Sequence, residues 1–395
     1  MARKRTPKLL AGYTHHNKVK LVHGGHDYFS LLEERIEKAR TTIHLQTYIY
    51  EDDETGKRVA EALKRAAQRG VKVFILLDGY ASQALPAAFI KDWKASGIHF
   101  RWFWPLFKSR RFYLGRRMHH KVFVTDGAYG LTGGVNISDR YNDTPTQKAW
   151  LDRALFVEGE AALKLHIICN YMWRKAYYTQ GANVDITDRL PGIQPSEECL
   201  VRVRRNDWVM RQLQISKSYV EMFRTATSHI TIMSSYFLPG KLLRKQMSLA
   251  SKRGVAIKVI MGGVSDVRVA RLAEQYMYRW LFRNKIEIYE YQETVLHAKM
   301  AAYDGAWVTV GSYNVNRISA YASVELNMDV RDAAFARSVE QELDTLIREH
   351  CVQVTPESFS RHSSLLKKIL QRLAYQSIRL IFFLFTFYFR QEKAH

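Results

Sequence analysis

The chain has 395 residues, enough for one large core or two ordinary domains, and its 47% hydrophobic and 12% aromatic content exclude a disordered polypeptide. Lys and Arg number 60 against 38 Asp and Glu, a formal net charge of +22, which calls for a polyanionic partner: nucleic acid, an anionic membrane surface or a phosphorylated substrate. Three scattered cysteines, Cys169, Cys199 and Cys351, form no CxxC pair, which argues against a disulfide framework or a zinc site and suits a reducing compartment.

The basic N-terminal residues are followed by no long apolar run, so no secretory leader is expected. A strand is predicted over 42–48. Residues 69–79 then read as a helix end, a glycine cap at Gly70 and a buried strand, and 97–101 as a further strand. An insertion rich in Trp, Phe and Arg follows over 102–117. It suits a lipid headgroup zone, stacking on single-stranded bases, or packing over the core. Residues 181–198, with Pro191, Gly192 and Pro195, read as a linker.

Beyond that linker the pattern repeats. The strand 230–236 is matched to 42–48, which sets Tyr236 against Tyr48. The stretch 253–263 matches 69–79, and 285–289 matches 97–101. Such alternation of helices and strands predicts, in each half, an α/β sandwich with a mixed sheet.

Each half then carries the same four residues at the same offsets. His119, Lys121, Asp126 and Asn136 are matched by His297, Lys299, Asp304 and Asn314: Lys at His+2, Asp at His+7, Asn at His+17. One such pair is weak evidence in a chain with 14 histidines; two copies at matching places of a duplicated chain are strong. On a strand, residues i and i+2 share a face, so each His projects with its Lys. The Asp-Gly pairs 126–127 and 304–305 are hairpin signals, which makes Asp126 and Asp304 turn or supporting members of the motif. The returning strand brings the Asn back beside the His.

Two such sets around one phosphate define a phosphoryl-transfer site that needs no metal. The Lys ammonium groups and Asn amides hold the non-bridging oxygens. One imidazole attacks phosphorus and the other moves the leaving and entering protons. A neutral nucleophilic His needs a partner on its other ring nitrogen. Asp152, after the first motif, and Glu325, 28 residues after His297, are the expected orienting carboxylates, five residues out of register with each other. His120 has no expected role.

These residues resemble the phospholipase D superfamily, whose signature is the paired HxK(x)4D motif followed by GG or GS and Asn, here Gly133-Gly134-Val135-Asn136 and Gly311-Ser312-Tyr313-Asn314. The resemblance covers roughly residues 17–352. It is greatest to bacterial cardiolipin synthases of the short form, without N-terminal membrane-spanning helices. It implies two similar α/β halves related by a pseudo-twofold axis: 1–185, 186–352, and then a C-terminal segment 353–395. It implies phosphatidyl transfer between two phosphatidylglycerols with His119 as nucleophile and His297 as general acid/base, at a site complete in one chain, with no cofactor. Superfamily members also include phospholipases, which pass the phosphatidyl group to water, and nucleases. No segment approaches the roughly 18 to 20 apolar residues of a membrane-spanning helix. The tail reads as a basic amphipathic helix, 365–373, leading to an aromatic end, 381–389. It suits an in-plane anchor on the cytoplasmic face of a bacterial membrane, or a helix docked on the protein itself. The expected partner is therefore anionic phospholipid, with no obligatory nucleic acid.

Overall fold

A computed structural model describes residues 10–105, 116–176, 191–361 and 364–391. In the first half, β1 (Asn17–His23), α1 (His26–Lys38), β2 (Thr42–Thr47), α2 (Glu54–Gln68), β3 (Lys72–Asp78), α3 (Ala87–Ala95) and β4 (His99–Phe103) precede the short β5 (Arg117–Met118), the hairpin β6 (Val122–Thr125) and β7 (Tyr129–Gly133), then β8 (Arg153–Gly159) and α4 (Glu160–Ala176). In the second, β9 (Leu200–Asp207), β10 (Gln212–Leu213), α5 (Gln214–Thr225), β11 (His229–Ser234), α6 (Lys241–Lys252), β12 (Ala256–Gly262), α7 (Arg268–Arg283) and β13 (Glu287–Tyr291) precede the hairpin β14 (Lys299–Tyr303) and β15 (Trp307–Gly311). The chain then continues through α8 (Arg317–Tyr321), β16 (Ser323–Arg331), α9 (Ala333–His350), β17 (Cys351–Val354), α10 (Pro356–Arg361) and α11 (Leu365–Gln391).

The duplication is plain in the strand order. The first sheet runs β1-β8-β7-β6-β2-β3-β4, and the second repeats it as β9-β16-β15-β14-β11-β12-β13, with β10 and β17 added at its edges. In each, three strands are parallel (β2, β3, β4; β11, β12, β13) and the rest antiparallel. Each half is thus an α/β unit with a mixed sheet, as expected, with an extra strand (β1 or β9) entering ahead of the first helix. Gly70 and Gly254, with φ of 88° and 93°, cap α2 and α6 at matched positions.

Register corrects one detail of the repeat. Ile43 faces Thr125 on β6, and Ile230 faces Tyr303 on β14. Since Asp126 and Asp304 correspond, Ile230 matches Ile43, and Tyr236 matches Ile49 rather than Tyr48. The sequence pairing was one residue out because it aligned tyrosine with tyrosine; in a strand that slip moves every side chain to the other face.

Helices α1, α2 and α3 cover one face of the first sheet, where Phe29, Leu32, Leu63 and Trp93 pack on Ile43, Val73 and Ile75. Helices α5, α6 and α7 do the same for the second through Phe223, Met247 and Leu281. The other two faces meet in one shared core: Val122, Val124 and Leu155 of the first sheet pack with Met300, Val308 and Val310 of the second, flanked by Leu165 of α4 and Leu343 of α9. Sheets buried on both sides explain why their strands read as apolar runs rather than alternating patterns. Fusing the halves through a core also fixes the two motif hairpins relative to each other.

The C-terminal helix α11 docks on α7. Tyr375 stacks on Tyr276 with ring centroids 4.7 Å apart, Gln371 Nε2 donates to Gln275 Oε1 at 3.2 Å, and Ala374 is buried with Ala273 and Met277. Its other face carries a row of exposed apolar residues, including Leu366 (66%), Leu373 (58%) and Leu380 (58%). The aromatic side chains expected over 382–389, and residues 106–115 of the aromatic and arginine insertion, lie outside the described residues. No described helix is long and apolar enough to cross a membrane.

Candidate active site

The two histidines come together where each half's motif pairs with the other half's last strand. β5 adds in parallel to β16, and the His119 and His120 amides both donate to Val324 O, at 3.0 and 2.9 Å. The mirror contact is the bridge from Leu296 to Leu151, with the His297 and Ala298 amides donating to Leu151 O at 2.8 and 3.0 Å. The residue after Val324 is Glu325, and the residue after Leu151 is Asp152. The pairing of imidazole and carboxylate is therefore crossed. His119 Nδ1 donates to Glu325 Oε2 at 3.0 Å, and His297 Nδ1 donates to Asp152 Oδ2 at 2.7 Å.

Register shows that these carboxylates are equivalent. Gly133 faces Ala154 and Gly311 faces Asn327, which puts Asp152 and Glu325 at the same place in their strands. The five-residue offset lies in the preceding loop, where the first half carries 139–150 and the second the short α8. The GG and GS pairs also have a physical reason. A Cβ on Gly133 would lie 2.4 Å from Arg153 O, and one on Gly311 2.3 Å from Leu326 O, so only glycine allows these strands to close. A Cβ on Gly134 would lie 2.3 Å from Asp152 Oδ1, whereas Ser312 at the matching place donates its hydroxyl to the longer Glu325.

Both carboxylates are fully buried. Burial alone raises a carboxyl pKa, but His119 and Lys121 beside Glu325, and His297 and Lys299 beside Asp152, hold both below the usual range. As anions they fix the proton on each Nδ1 and leave each Nε2 as a lone pair. Burial pushes both imidazoles down, His297 to about 3, against the opposing pull of their carboxylates. Lys121 and Lys299 donate to the carbonyls of His119 and His297, two residues back. Burial, and for Lys121 the neighbouring Lys299, lower these ammonium groups to about 7 and 8. The two buried lysines share one site with Glu325 and Asp152, whose negative charges oppose the effect of burial on them.

Asn136 Oδ1 accepts the Ile49 amide at 3.1 Å and Asn314 Oδ1 accepts the Tyr236 amide at 3.3 Å. A backbone N–H requires the oxygen, which turns each Nδ2 away from it as a donor. On the Asn136 side that amide interacts with the Tyr141 hydroxyl.

Asp126 and Asp304 stand apart from the histidines and lysines of the motif. They lie at the far end of the motif strands from Lys121 and Lys299, at the hairpin turns, with φ of 54° and 53°. Asp126 accepts from the amides of Arg40, Thr41 and Thr42 and from the Thr41 hydroxyl. Asp304 does the same with Thr227, Ser228 and His229. They tie the turn to the start of β2 or β11 and touch nothing that reacts. Asp126→Ala or Asp304→Ala is expected to lower stability by about 2 kcal/mol, measured by urea unfolding, with turnover per folded molecule unchanged.

Several aromatic walls were not singled out by sequence reasoning. The Tyr48 ring lies 5.0 Å from His119, Tyr141 lies 5.1 Å from His297, and Trp150 lies 6.0 Å from it. Tyr48 has Ser235 as its register counterpart, and Tyr141 and Trp150 sit in the loop without a partner in the repeat, so symmetry carried no signal for them. His120 is a buried core residue whose Nε2 bonds Gln46 Oε1 at 3.0 Å.

The family model "Cardiolipin synthase, PLD-like domain" matches residues 32–154 and 219–347, one segment over each motif. The chain belongs to the phospholipase D superfamily. Within it, "Cardiolipin synthase B" of Escherichia coli (strain K12) is 31% identical over 351 residues, 86% of this chain and 82% of that protein. The Salmonella typhi protein of the same name is 30% identical over 355 residues, 87% and 83% of the two chains. "Cardiolipin synthase 1" of Bacillus cereus is 29% identical over 364 residues, 89% of this chain and 70% of that protein. Phosphatidylserine synthase of Haemophilus influenzae Rd KW20 shares the fold, with a TM-score of 0.70 at 14% identity over 93% of this chain and 95% of that one. Polyphosphate kinase of Porphyromonas gingivalis aligns with a TM-score of 0.57 at 17% identity, over 92% of this chain and 53% of that one. This phospholipase D superfamily protein is thus an enzyme related to bacterial cardiolipin synthases.

Proposed function

We propose that this protein is a cardiolipin synthase, transferring a phosphatidyl group from one phosphatidylglycerol to another. The observation that carries the reading is the crossed pair of carboxylate-held imidazoles around two buried lysines. His119 Nε2 attacks the phosphodiester phosphorus. The P–N bond forms, the bond from phosphorus to the glycerol headgroup oxygen breaks, and His297 gives that oxygen a proton. An anionic phosphodiester beside His297 raises its proton affinity against the effect of burial and so supplies the imidazolium. In the second step, His297 takes the proton from a headgroup hydroxyl of the second phosphatidylglycerol. That oxygen attacks phosphorus, the P–N bond breaks, and cardiolipin leaves. Lys121, Lys299, Asn136 and Asn314 hold the non-bridging oxygens through both steps. His119 keeps 19% of its side chain exposed against 10% for His297, which supports His119 as the group that meets the incoming phosphorus.

The exposed row on α11, with Lys368 and Arg372 beside it, supports an enzyme lying on an anionic bilayer. The deciding experiment incubates purified protein with headgroup-labelled phosphatidylglycerol vesicles, with and without EDTA. Cardiolipin and free glycerol in equal amounts, insensitive to EDTA, are expected. Phosphatidic acid alone would make the protein a phospholipase, and turnover of DNA but not lipid would make it a nuclease.

The lysines also set a pH dependence. With pKa values near 7 and 8, both lose their charge as pH rises through that range. Because kcat/KM reports the free enzyme, it is expected to fall above about pH 8. Stability moves the other way. Between these values and the ordinary 10.5, the unfolded chain binds protons that the native site has shed, so native stability gains with rising pH. Melting of the wild type against Lys121→Met across pH 7 to about 10 checks this: the wild type should gain stability relative to the variant as the pH rises.

A further inference from the structure

A second basic site lies outside the catalytic centre, in a cleft of about 430 Å³ between α6, α7 and α11. Six cationic side chains line it: Lys241 and Arg244 from α6, Arg279 and Arg283 from α7, Arg317 from α8 and Arg379 from α11. No carboxylate lines it, and none of the six takes part in an ion pair among the described residues. This is not the habit of α7. Arg271, two turns before Arg279, is paired with Glu290 at 2.5 Å and lies 3.9 Å from Glu274. The Arg244 Nε is buried without a hydrogen-bond partner. Its guanidinium lies 5.9 Å from the Trp280 ring, and Arg379 lies 5.8 Å from the Tyr375 ring, so the planar groups are held by aromatic faces rather than by anions. The cleft also takes in the start of α6 at Gly240, which has no side-chain cap and adds the positive end of a helix dipole.

Six uncompensated cations around one cleft repel one another, and an anion bearing several oxygens removes that penalty. Guanidinium forks match a phosphate. The surroundings favour a lipid-borne phosphate over a free one. Leu238 and Ile378 line the cleft, and the exposed apolar row of α11 lies on the same helix as Ile378 and Arg379. A headgroup seated among the arginines could leave its acyl chains beside that row. We infer that this cleft is a headgroup site for an anionic phospholipid, separate from the catalytic phosphate site and set next to it. The adjacency is covalent and hydrogen-bonded: the Leu238 amide donates to Val315 O at 2.9 Å, and Arg317 follows Asn314 by three residues.

The inference rests on the phospholipid reading for the identity of its ligand but not on the transfer reaction. Its test is the stoichiometry of binding to the full chain carrying His119→Ala, so that lipid is not consumed. The probe is short-chain phosphatidylglycerol below its micellar concentration, with inorganic phosphate and short-chain phosphatidylcholine as comparisons. Two lipids per chain are expected, falling to one in Arg244→Gln/Arg279→Gln. The same loss of charge at a distant surface, Lys91→Gln/Lys94→Gln, should leave two. Matched melting temperatures establish that the variants are folded. One lipid per chain before the cleft is altered, or two after it is altered, would overturn the inference. Displacement of the cleft-bound lipid by inorganic phosphate at an affinity within about tenfold would assign the cleft to free phosphate and overturn the lipid. Phosphatidylcholine binding there equally well would remove the requirement for an anionic lipid. Failure of the transferase reading shows elsewhere, as absence of cardiolipin from the wild-type protein, and leaves the loss of one lipid on altering the cleft untouched.

Discussion

Alanine in place of either His119 or His297 is expected to cut turnover by about 10³-fold or more, with the fold intact. In the proposed transfer each imidazole is needed in both chemical steps, so neither loss is confined to one half-reaction. Without His119 there is no nitrogen to carry the phosphatidyl group. Without His297 the glycerol oxygen departs as an alkoxide, and the incoming hydroxyl attacks without a base. Some stability is lost as well, because each ring donates to a fully buried carboxylate that alanine leaves without that donor. Turnover measured beside urea unfolding separates the two effects. Enzyme denatured in detergent at neutral to alkaline pH, where a P–N bond survives, after brief incubation with phosphorus-labelled lipid should retain label in the wild type and none in His119→Ala. Label retained on His297 in that variant would reverse the roles of the two histidines.

Much of this arrangement was legible in the sequence because it is written twice. Equal offsets from His119 to Asn136 and from His297 to Asn314 mark the hairpins, and Asp126-Gly127 and Asp304-Gly305 mark their turns, with φ above zero as such turns require. What repetition conceals is which copy a residue serves. Asp152 and Glu325 each follow their own motif in the chain, yet each is delivered to the other's histidine by hydrogen bonds between Val324 or Leu151 and the opposite half. Nothing local encodes that exchange. It depends on two sheets sharing one core, which is a property of the whole fold. Tyr141 and Trp150 were hidden for a related reason, since they lie in a loop where the two halves differ.

The crossing has a measurable consequence. Glu325→Gln should lower kcat by about 10²- to 10⁴-fold, as neutralising an orienting carboxylate does when it lets an imidazole take the wrong tautomer or turn away. Asp152→Asn should act comparably on His297. Ordinary additivity would make each carboxylate substitution equally harmful in any background, but residues that act as one unit do not add. Once His119 is alanine, Glu325 has no imidazole left to hold, so Glu325→Gln should cost little more in His119→Ala, while Asp152→Asn should still reduce the residual rate. In His297→Ala the order inverts: Asp152→Asn becomes nearly silent and Glu325→Gln remains harmful. The residual activities must be read with an activated substrate whose leaving group needs no protonation, so that the weakened variants stay measurable. Pairing within each half would yield the opposite pattern, with Asp152 silent beside His119→Ala. The two patterns exclude each other, so the four double variants, each read against its histidine parent, decide whether the halves exchange their carboxylates.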